Sequence, residues 1–268
     1  MTGAVGLASG ALRRHAGWLL PLATLALLVV IWQLYVDISG VSGLVFPPPH
    51  AVARALVDDR GTLLRSLGRT ALEIVCGILV AVVFGFAAAV LIHWSTVARR
   101  ALYPLLVASQ AVPIVVLAPI LVLWLNFGIR PILVLIALVC FFPIVVTTLA
   151  ALETVDPDLI KLMITFDASR WQRFRRVELP SALPGLMTGI KLAAVFSVIG
   201  AVFGEQEAGS SSGLGYLLNA TLSNFEPAEA FATVCVLSAF AILLFALLTV
   251  VERRALPWAY KTKEIQSR

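Results

Sequence analysis

The sequence predicts an all-α integral membrane protein with about six transmembrane helices. Of its 268 residues, 60% are hydrophobic and only 13% are charged, and the mean hydropathy is +0.97. Soluble domains are about half apolar, so this composition lies outside their range. The apolar runs are about 20 residues long, which suits helices that span a bilayer, whereas a β-barrel would show alternating segments of about ten residues.

Six apolar segments divide the chain. They fall at residues 17–36, 67–93, 102–126, 131–151, 182–204 and 230–251. The first is long for a signal-peptide core and has no clear cleavage site, so it is predicted to stay as a span. The predicted domains are an N-terminal tail at 1–16, a transmembrane domain at 17–252 with a polar loop at about 152–181, and a C-terminal tail at 253–268.

Charged residues separate onto two sides of this arrangement. One side holds the basic residues Arg13, Arg14, Arg99, Arg100, Arg253, Arg254, Lys261 and Lys263, together with the polar loop. The other side holds Asp37, Asp58, Asp59, Glu205, Glu207, Glu226 and Glu229. Cytoplasmic loops are rich in Lys and Arg, so both termini and the polar loop are predicted to be cytoplasmic. Membrane orientation also explains the net charge of +5, and no nucleic acid is expected as a partner.

The longest polar run, Val155–Pro180, is predicted to form a pair of helices. Asp156 and Pro157 suit an N-cap and a first helical position, and this helix should run to about Phe166. Ser169 can cap a second helix, which Pro180 is predicted to end because proline lacks an amide donor. Two interpretations stay open at this point: an amphipathic pair on the anionic leaflet, and a docking element for a soluble partner.

Small residues recur every four positions in two of the spans. They are Gly77, Ala81, Gly85 and Ala89 in the second span, and Gly185, Gly189, Ala193, Ser197 and Ala201 in the fifth. Such ridges let another helix approach closely, so tight helix packing is the favoured interpretation.

Prolines and polar residues inside the spans are candidates for a transport pathway. Pro113 and Pro119 should kink the third span, since kinks are tolerated beside neighbours or a water-lined cavity. Gln110 precedes this kink, and Ser197 lies in the fifth span. Lys191 and Glu205 are further candidates, although Lys191 has the alternative of extending to the interface. Glu205 opens the run GEQEAGSSSGLGYLL, which is predicted to be irregular.

Several motifs are missing from the sequence. There is no GxxxxGK[ST] phosphate loop and no HExxH motif. A nucleophile elbow, an arginine-studded voltage sensor and a repeated selectivity filter are likewise absent. A catalytic role for this chain is therefore not expected, and neither a bound cofactor nor a metal site is predicted.

Most of the chain after the first span resembles the membrane subunits of type I ABC importers. The branch in question takes up nitrate, sulfonates, taurine and pyrimidine precursors of thiamine. The matching text is FPPP at Phe46–Pro49, APILVLW at Ala118–Trp124, FFPIVV at Phe141–Val146, VDPDL at Val155–Leu159, ASRWQRFRRVELPSALPGLMTGIK at Ala168–Lys191 and GSSSGLGYLL at Gly209–Leu218.

The central motif of that family is EAA, three residues, glycine, and after a gap an aliphatic residue, one further residue and LP. Val177, Leu179 and Pro180 match the end of the motif. Lys161, Leu162 and Met163 stand in place of EAA, and Asp167 stands in place of the glycine. Aspartate adopts left-handed backbone geometry more readily than most residues, so the helix–turn–helix is expected to survive.

The resemblance implies a permease at the bacterial inner membrane, made of two copies of the chain surrounded by membrane lipid. A separate dimeric ATPase would bind ATP and dock on the polar loop, and a periplasmic or lipid-anchored protein would deliver substrate. The residues implied in coupling to the ATPase are Lys161, Asp167, Ala168, Ser169, Arg170, Trp171, Arg173 and Phe174, with Trp171 and Phe174 as apolar anchors.

The substrate implied first is a small polar solute of the hydroxymethylpyrimidine type. Relatives of that group carry tryptophan after the glutamate, whereas this chain has Gln206, so sulfonate, taurine and nitrate remain alternatives. Two further classes also remain: an ion-driven secondary transporter, which needs coupling groups near the bilayer midplane, and a membrane scaffold.

Overall fold

The computed structural model describes the backbone of residues 5–259 and the side chains of residues 20, 21 and 23–259. Within these residues every regular element is helical. The helices are α1 (Val5–Ser39), α2 (Pro49–Asp58), α3 (Arg60–Trp94), α4 (Thr96–Ser109), α5 (Ile114–Leu125), α6 (Ile129–Glu153), α7 (Pro157–Thr165), α8 (Arg170–Arg173), α9 (Leu179–Glu207), α10 (Leu214–Ser223) and α11 (Pro227–Ala255). A π-helical turn, Phe174–Glu178, joins α8 to α9.

Four helices in the described residues are long and apolar enough to cross a bilayer. They are α3, α6, α11 and the continuous stretch Arg170–Glu207. The pair α4 and α5 can supply a fifth crossing, with a bend of 104° between the two helices. In α1 the apolar part with described side chains, Ala23–Ser39, is shorter. Part of the predicted first span, the side chains of Arg13 and Arg14, and residues Lys261 and Lys263 lie outside what the structure describes.

The kink predicted in the third span is a full break, because α4 ends and α5 begins within residues 102–126. The break lies at Gln110–Pro113, and Pro113 has an extended backbone with φ −65° and ψ 126°. A proline disfavours helical geometry in the residue before it and has no amide donor. Pro119, in contrast, lies inside α5 without ending it.

Helix α6 is the centre of the bundle and lies between α3 and α9. A Cβ added at Gly77 or Gly85 of α3 would meet Ile136 and Ile144 of α6, respectively. A Cβ at Gly189 of α9 would lie 2.9 Å from Ile144 Cα. Both predicted ridges of small residues therefore pack closely against α6, as expected for helices that approach backbone to backbone.

The prediction that Pro180 ends the second cytoplasmic helix is wrong. The Leu179 amide donates to the Phe174 carbonyl, five residues earlier, in the π-helical turn. Pro180 consequently falls in the first turn of α9, directly after the π-helical turn. The chain continues as a helix from Arg170 to Glu207.

The run after Glu205 is also more helical than predicted. Only Ala208–Gly213 is irregular, and α10 starts at Leu214. Gly209 and Gly213 have φ of +63° and +117°, a region that residues with a Cβ rarely adopt. These two glycines allow the chain to turn back so that α10 packs against α9 and α11.

Candidate functional site

The helix pair α7 and α8 begins at the two predicted caps. Asp156 Oδ1 accepts a hydrogen bond from the Asp158 amide at 2.8 Å. Ser169 Oγ accepts one from the Gln172 amide at 3.3 Å, and the Gln172 side chain accepts from the Ser169 amide at 2.8 Å. This reciprocal capping box satisfies amides that have no partner within the helix. It fixes the point at which α8 starts.

The turn between these two helices has the geometry that the sequence predicts. Asp167 has φ +54°, so it occupies the left-handed region in place of the family's glycine. The Asp167 amide donates to the Ile164 carbonyl at 2.9 Å, and the Ala168 amide donates to the Met163 carbonyl at 3.0 Å. These bonds close the end of α7, as in common helix C-terminal motifs.

Three aromatic rings attach the helix pair to the bundle. Trp94, at the end of α3, lies 4.9 Å from Phe174 and 6.0 Å from Trp171 between ring centroids, both edge-on, and Trp171 stacks on Phe174 at 5.7 Å. Arg170 Nη2 donates to the Trp94 carbonyl at 2.6 Å, and its guanidinium lies 5.7 Å from a Trp94 ring centroid. The edge-on rings and the cation over a ring face are favourable arrangements.

A histidine–carboxylate contact and an ion pair add to this attachment. His93 Nε2 lies 3.0 Å from Glu178 Oε2, which links the end of α3 to the π-helical turn. Arg99 Nη2 lies 2.8 Å from Glu153 Oε1, which links α4 to the end of α6. The polar loop is thus tied to three helices at one end of the bundle.

The outer side of the helix pair carries exposed apolar side chains, named here the loop face: Leu162, Phe166 and Trp171. Phe166 is 74% exposed and Trp171 is 56% exposed. Phe174, in contrast, is only 4% exposed and packs against Leu152 and Ala182. Of the two predicted anchors, Trp171 faces outward, whereas Phe174 holds the loop to its own bundle because its ring fills the space beside Trp94.

The remaining residues predicted for coupling surround the loop face. Lys161 is exposed, and its ammonium pairs with Asp158 at 2.8 Å. Arg173 is half-buried, and its Nε has no hydrogen-bond partner. The sequence reasoning did not select Phe166 as an anchor. Its position just before Asp167, at the end of an amphipathic helix, was the available signal.

A cavity of 820 Å³, named here the break cavity, lies beside the bend between α4 and α5. Its wall includes Gln110 and Pro113, both predicted as pathway residues, and also Ser109. Helices α3, α6 and α9 complete the wall, which is almost entirely apolar. The freed polar groups of a broken helix are thus placed beside a cavity, as in other membrane proteins with broken helices.

Three other predicted pathway residues do not line this cavity. Lys191 binds Glu252 Oε2 of α11 at 2.6 Å. Ser197 is fully buried, and its hydroxyl donates to the Ala194 carbonyl at 2.8 Å. Glu205 is fully buried at the far end of α9. Lys191 and Glu205 therefore join helices, whereas the Ser197 hydroxyl is bonded within α9.

Glu205 holds the start of α10. Its Oε1 accepts from the Thr70 hydroxyl at 2.6 Å, and its Oε2 accepts from the Gly215 amide at 2.6 Å. The Leu214 amide donates to Thr70 Oγ1 at 2.8 Å. Carboxylates are stabilising at helix N-termini because the amides there lack partners. Glu205 thereby ties α3, α9 and α10 together.

A local ion pair lies within α3. Arg69 Nε donates to Glu73 Oε1 at 2.8 Å, and Glu73 is fully buried. Within the part of the chain that the structure describes, no group of three or more His, Cys, Asp or Glu residues is placed to hold a metal ion.

Comparisons with known proteins agree with this architecture. Residues 81–257 match the family of the binding-protein-dependent transport system inner membrane component. A formylaminopyrimidine transport permease of Halalkalibacterium halodurans is 35% identical over 88% of this chain and 94% of its own length. A riboflavin transport system permease of Chloroflexus aurantiacus is 34% identical over 88% of each chain. A taurine transport system permease of Escherichia coli is 28% identical over 89% of each chain.

Solved structures show the same fold. The MetNI methionine ABC transporter, in an inward-facing crystal form, contains a chain that superposes with a TM-score of 0.62 at 19% identity, over 75% of this chain and 97% of that one. An amino acid ABC transporter gives a TM-score of 0.59 at 14% identity, over 74% of this chain and 96% of the other. The chain therefore belongs to the binding-protein-dependent transport system inner membrane component family, and it is the multi-pass permease subunit of an ABC importer.

Proposed function

We propose that two copies of this chain form the substrate pathway of an importer in the bacterial inner membrane, and that a dimeric ATPase docks on the loop face. The observation that carries the proposal is the exposure of Phe166 and Trp171 on a loop that is otherwise firmly held. ATP is bound and hydrolysed by the partner. A periplasmic or lipid-anchored binding protein delivers the solute.

The loop face suits a protein partner. Burial of a large apolar side chain contributes about 1.5–3 kcal/mol, so the three residues together supply an energetic centre for an interface. Exposed basic residues, Arg175 and Arg176, follow on the same loop and steer an acidic partner surface by long-range attraction. The aromatic contact with Trp94 transmits the partner's displacement to α3.

Copurification tests the ATPase partner. The tagged chain is purified from its native membrane and assayed for MgATP hydrolysis, first as wild type and then as the double variant Leu162→Ala and Phe166→Ala, both exposed residues of the loop face. The wild type should retain an ATP-hydrolysing subunit that the variant loses. Both preparations should contain the same amount of the permease chain. Val97→Ala, which removes an exposed apolar side chain (76% exposed) outside the loop face, is the matched control.

A variant that keeps full ATPase activity and uptake would contradict the docking site. A wild-type chain that copurifies with no ATP-hydrolysing protein would favour a secondary transporter or a scaffold. Charge reversal at Arg170 is less informative, because Arg170 also binds the Trp94 carbonyl of its own chain.

The cytoplasmic position of both termini and of the loop is part of the proposal. Lys161 is exposed on α7, so a Lys161→Cys variant reports on the side of the membrane. A membrane-impermeant maleimide should label this cysteine only in inverted vesicles. Labelling in intact cells would place the loop outside and contradict ATPase docking.

The second copy is supported by the apolar surface of the bent pair. No residue of α4 is buried in a single copy, and Leu123 and Trp124 of α5 are 80% and 73% exposed. We propose that a partner copy covers part of this surface and that membrane lipid covers the rest. Mass measurement of the detergent-free complex should give two permease copies per assembly, and a single copy would contradict the homodimer.

The proposed substrate is a small polar solute related to pyrimidine precursors of thiamine. The formylaminopyrimidine permease supports this proposal, since it is 35% identical over nearly its whole length. The second candidate is a sulfonate or taurine, which the 28% identity to the taurine permease favours. Competition for uptake in vesicles distinguishes the two classes.

A further inference from the structure

The break cavity has the size and composition of a ligand site. Its volume is 820 Å³, and sites for small molecules in proteins measure about 300–1,000 Å³, with mostly apolar walls and a few placed polar groups. The polar side chains in its wall are Ser109, Gln110 and Thr147. Among the described residues, no Asp, Glu, Lys, Arg or His side chain lines it.

An ionised solute would find no counter-charge in this cavity. Transfer of an unpaired anion out of water costs several kcal/mol, and only a close opposite charge with good geometry offsets that cost. Two basic residues adjoin the wall in sequence: His93, whose Nε2 lies 3.0 Å from Glu178 Oε2, follows Ile92, and Lys191 precedes Leu192. The Lys191 ammonium is bound to Glu252 on α11 at 2.6 Å. An uncharged solute avoids this cost.

Two of the three polar side chains already donate their hydroxyl protons to backbone carbonyls. The Ser109 hydroxyl donates to the Leu106 carbonyl at 2.7 Å, and the Thr147 hydroxyl donates to the Pro143 carbonyl at 2.8 Å. Gln110 makes only a 3.5 Å contact from Nε2 to Ser109 Oγ. Its amide offers both donors and an acceptor, so it can bind a ring nitrogen and an adjacent amino group together.

The wall also suits a flat ring. Phe141 and Phe142 of α6 both line the cavity, and aromatic rings pack favourably in offset-stacked or edge-to-face arrangements. We infer that the break cavity binds an uncharged aromatic solute and that Gln110 determines its specificity. This inference rests on the proposed import function and narrows it to one class of substrate, with organic anions excluded.

Thiol labelling measures the charge selectivity of the cavity. The variant Ser109→Cys is made in a chain whose native Cys76, Cys140 and Cys235 are replaced by alanine. It is treated with neutral methyl, anionic sulfonatoethyl and cationic trimethylammonioethyl methanethiosulfonates. Relative to Lys161→Cys on the exposed loop in the same background, both charged reagents should react at least tenfold more slowly than the neutral one.

Protection against the neutral reagent then identifies the ligand class. We expect 4-amino-5-hydroxymethyl-2-methylpyrimidine to slow the modification of Ser109→Cys, whereas ethanesulfonate should not. Adding Gln110→Leu should abolish the protection, and Gln110→Asn should retain part of it. An unchanged melting temperature and unchanged labelling at Lys161→Cys show that these variants are folded.

The results separate the inference from the function on which it rests. Equal rates for the anionic and neutral reagents, or protection by ethanesulfonate, would overturn the uncharged class. Protection that survives Gln110→Leu would overturn the role of Gln110. Protection by phospholipid but by neither probe would assign the cavity to an acyl chain. Loss of the copurified ATPase from the wild-type complex would instead contradict the import function, whatever the labelling shows.

Discussion

At the scale of single residues, Asp167 and Glu205 show how surroundings decide the role of a carboxylate. Asp167 lies in a turn with φ +54° and serves through its backbone. Glu205 is fully buried and serves through its side chain, which accepts hydrogen bonds from Thr70 and from the start of α10. The role of Asp167 requires only a residue that tolerates left-handed backbone geometry. The role of Glu205 requires that both of its carboxylate oxygens accept hydrogen bonds.

Substitutions at Asp167 should follow backbone preference. Asp167→Val should destabilise the chain by about 1–2 kcal/mol, because a β-branched residue is strained in the left-handed region. Asp167→Asn, which removes the charge but tolerates the same geometry, should change stability little. Thermal unfolding of the detergent-solubilised chain measures the stability of both variants. An equal loss of stability in the two would show that the negative charge of Asp167 matters instead of its backbone geometry.

Substitutions at Glu205 should follow hydrogen bonding. Glu205→Ala leaves the Thr70 hydroxyl and the Gly215 amide without their acceptor inside the bundle, and each buried unsatisfied group costs about 1–3 kcal/mol. Glu205→Gln keeps one acceptor and should cost less. Glu207→Ala, two residues further on the exposed side of the same helix, is the control. A loss no larger than the control's would contradict the role of Glu205 in holding α10.

At the scale of elements, α6 lies between two helices that present glycine ridges. The spacing of the small residues was sufficient to predict both ridges, because close helix approach requires missing side chains over several turns. It did not reveal that both ridges pack against the same helix, α6. That arrangement is set by three-dimensional packing and has no sign in local sequence.

The ridge at α9 can be tested with one added methyl group. Gly189→Ala should separate α6 from α9, because the new Cβ would meet Ile144 Cα at 2.9 Å and the Pro143 carbonyl at 3.0 Å. Overpacking of this kind costs about 1–3 kcal/mol. Gly68→Ala in α3 meets nothing within 4 Å and should stabilise its helix by up to about 1 kcal/mol. An equal fall in the unfolding temperature of the Gly189→Ala and Gly68→Ala variants would contradict the close packing of α9 on α6.

The π-helical turn and the break at Gln110–Pro113 mark the limits of prediction at this scale. The caps Asp156 and Ser169 act through their immediate neighbours, so their positions could be predicted. A proline has no amide that could donate to a carbonyl of the preceding turn. Whether the helix ends at the proline depends on how that carbonyl is otherwise satisfied. Pro180 is accommodated by the π-helical turn, whereas Pro113 faces the break cavity. Of the polar side chains in the cavity wall, only Gln110 was predicted. Thr147 lies on α6, and the sequence does not show that this helix reaches the cavity.

At the scale of the whole molecule, α11 is held to the bundle through few buried contacts. Its apolar window is only 6% buried, yet Glu252 near its end binds Lys191 of α9. The composition predicted a membrane protein. The charge distribution predicts that both termini and the polar loop lie on the same side of the membrane. Pairing between distant charges, such as Lys191 with Glu252, could not be predicted because a sequence gives no distance across a bundle.

The ion pair should show strong coupling between its partners. Lys191→Met alone leaves a buried carboxylate without its cation, and removal of one partner from a buried pair costs about 3–5 kcal/mol. The double variant Lys191→Met and Glu252→Gln should recover most of that loss. A thermal-unfolding cycle of the two single variants and the double variant measures the coupling. Additive losses would contradict a direct pair.

The continuous helical stretch Arg170–Glu207 has 38 residues, which at 1.5 Å per residue gives a rod of about 57 Å. The apolar interior of a bilayer is only about 30 Å thick, so this rod protrudes well beyond it. It carries the exposed Trp171 at one end, the cavity wall residues Leu192 and Phe196 along its length, and Glu205 at the other. Displacement of Trp171 by the proposed ATPase would therefore reach the wall of the break cavity and Glu205 through one continuous helix.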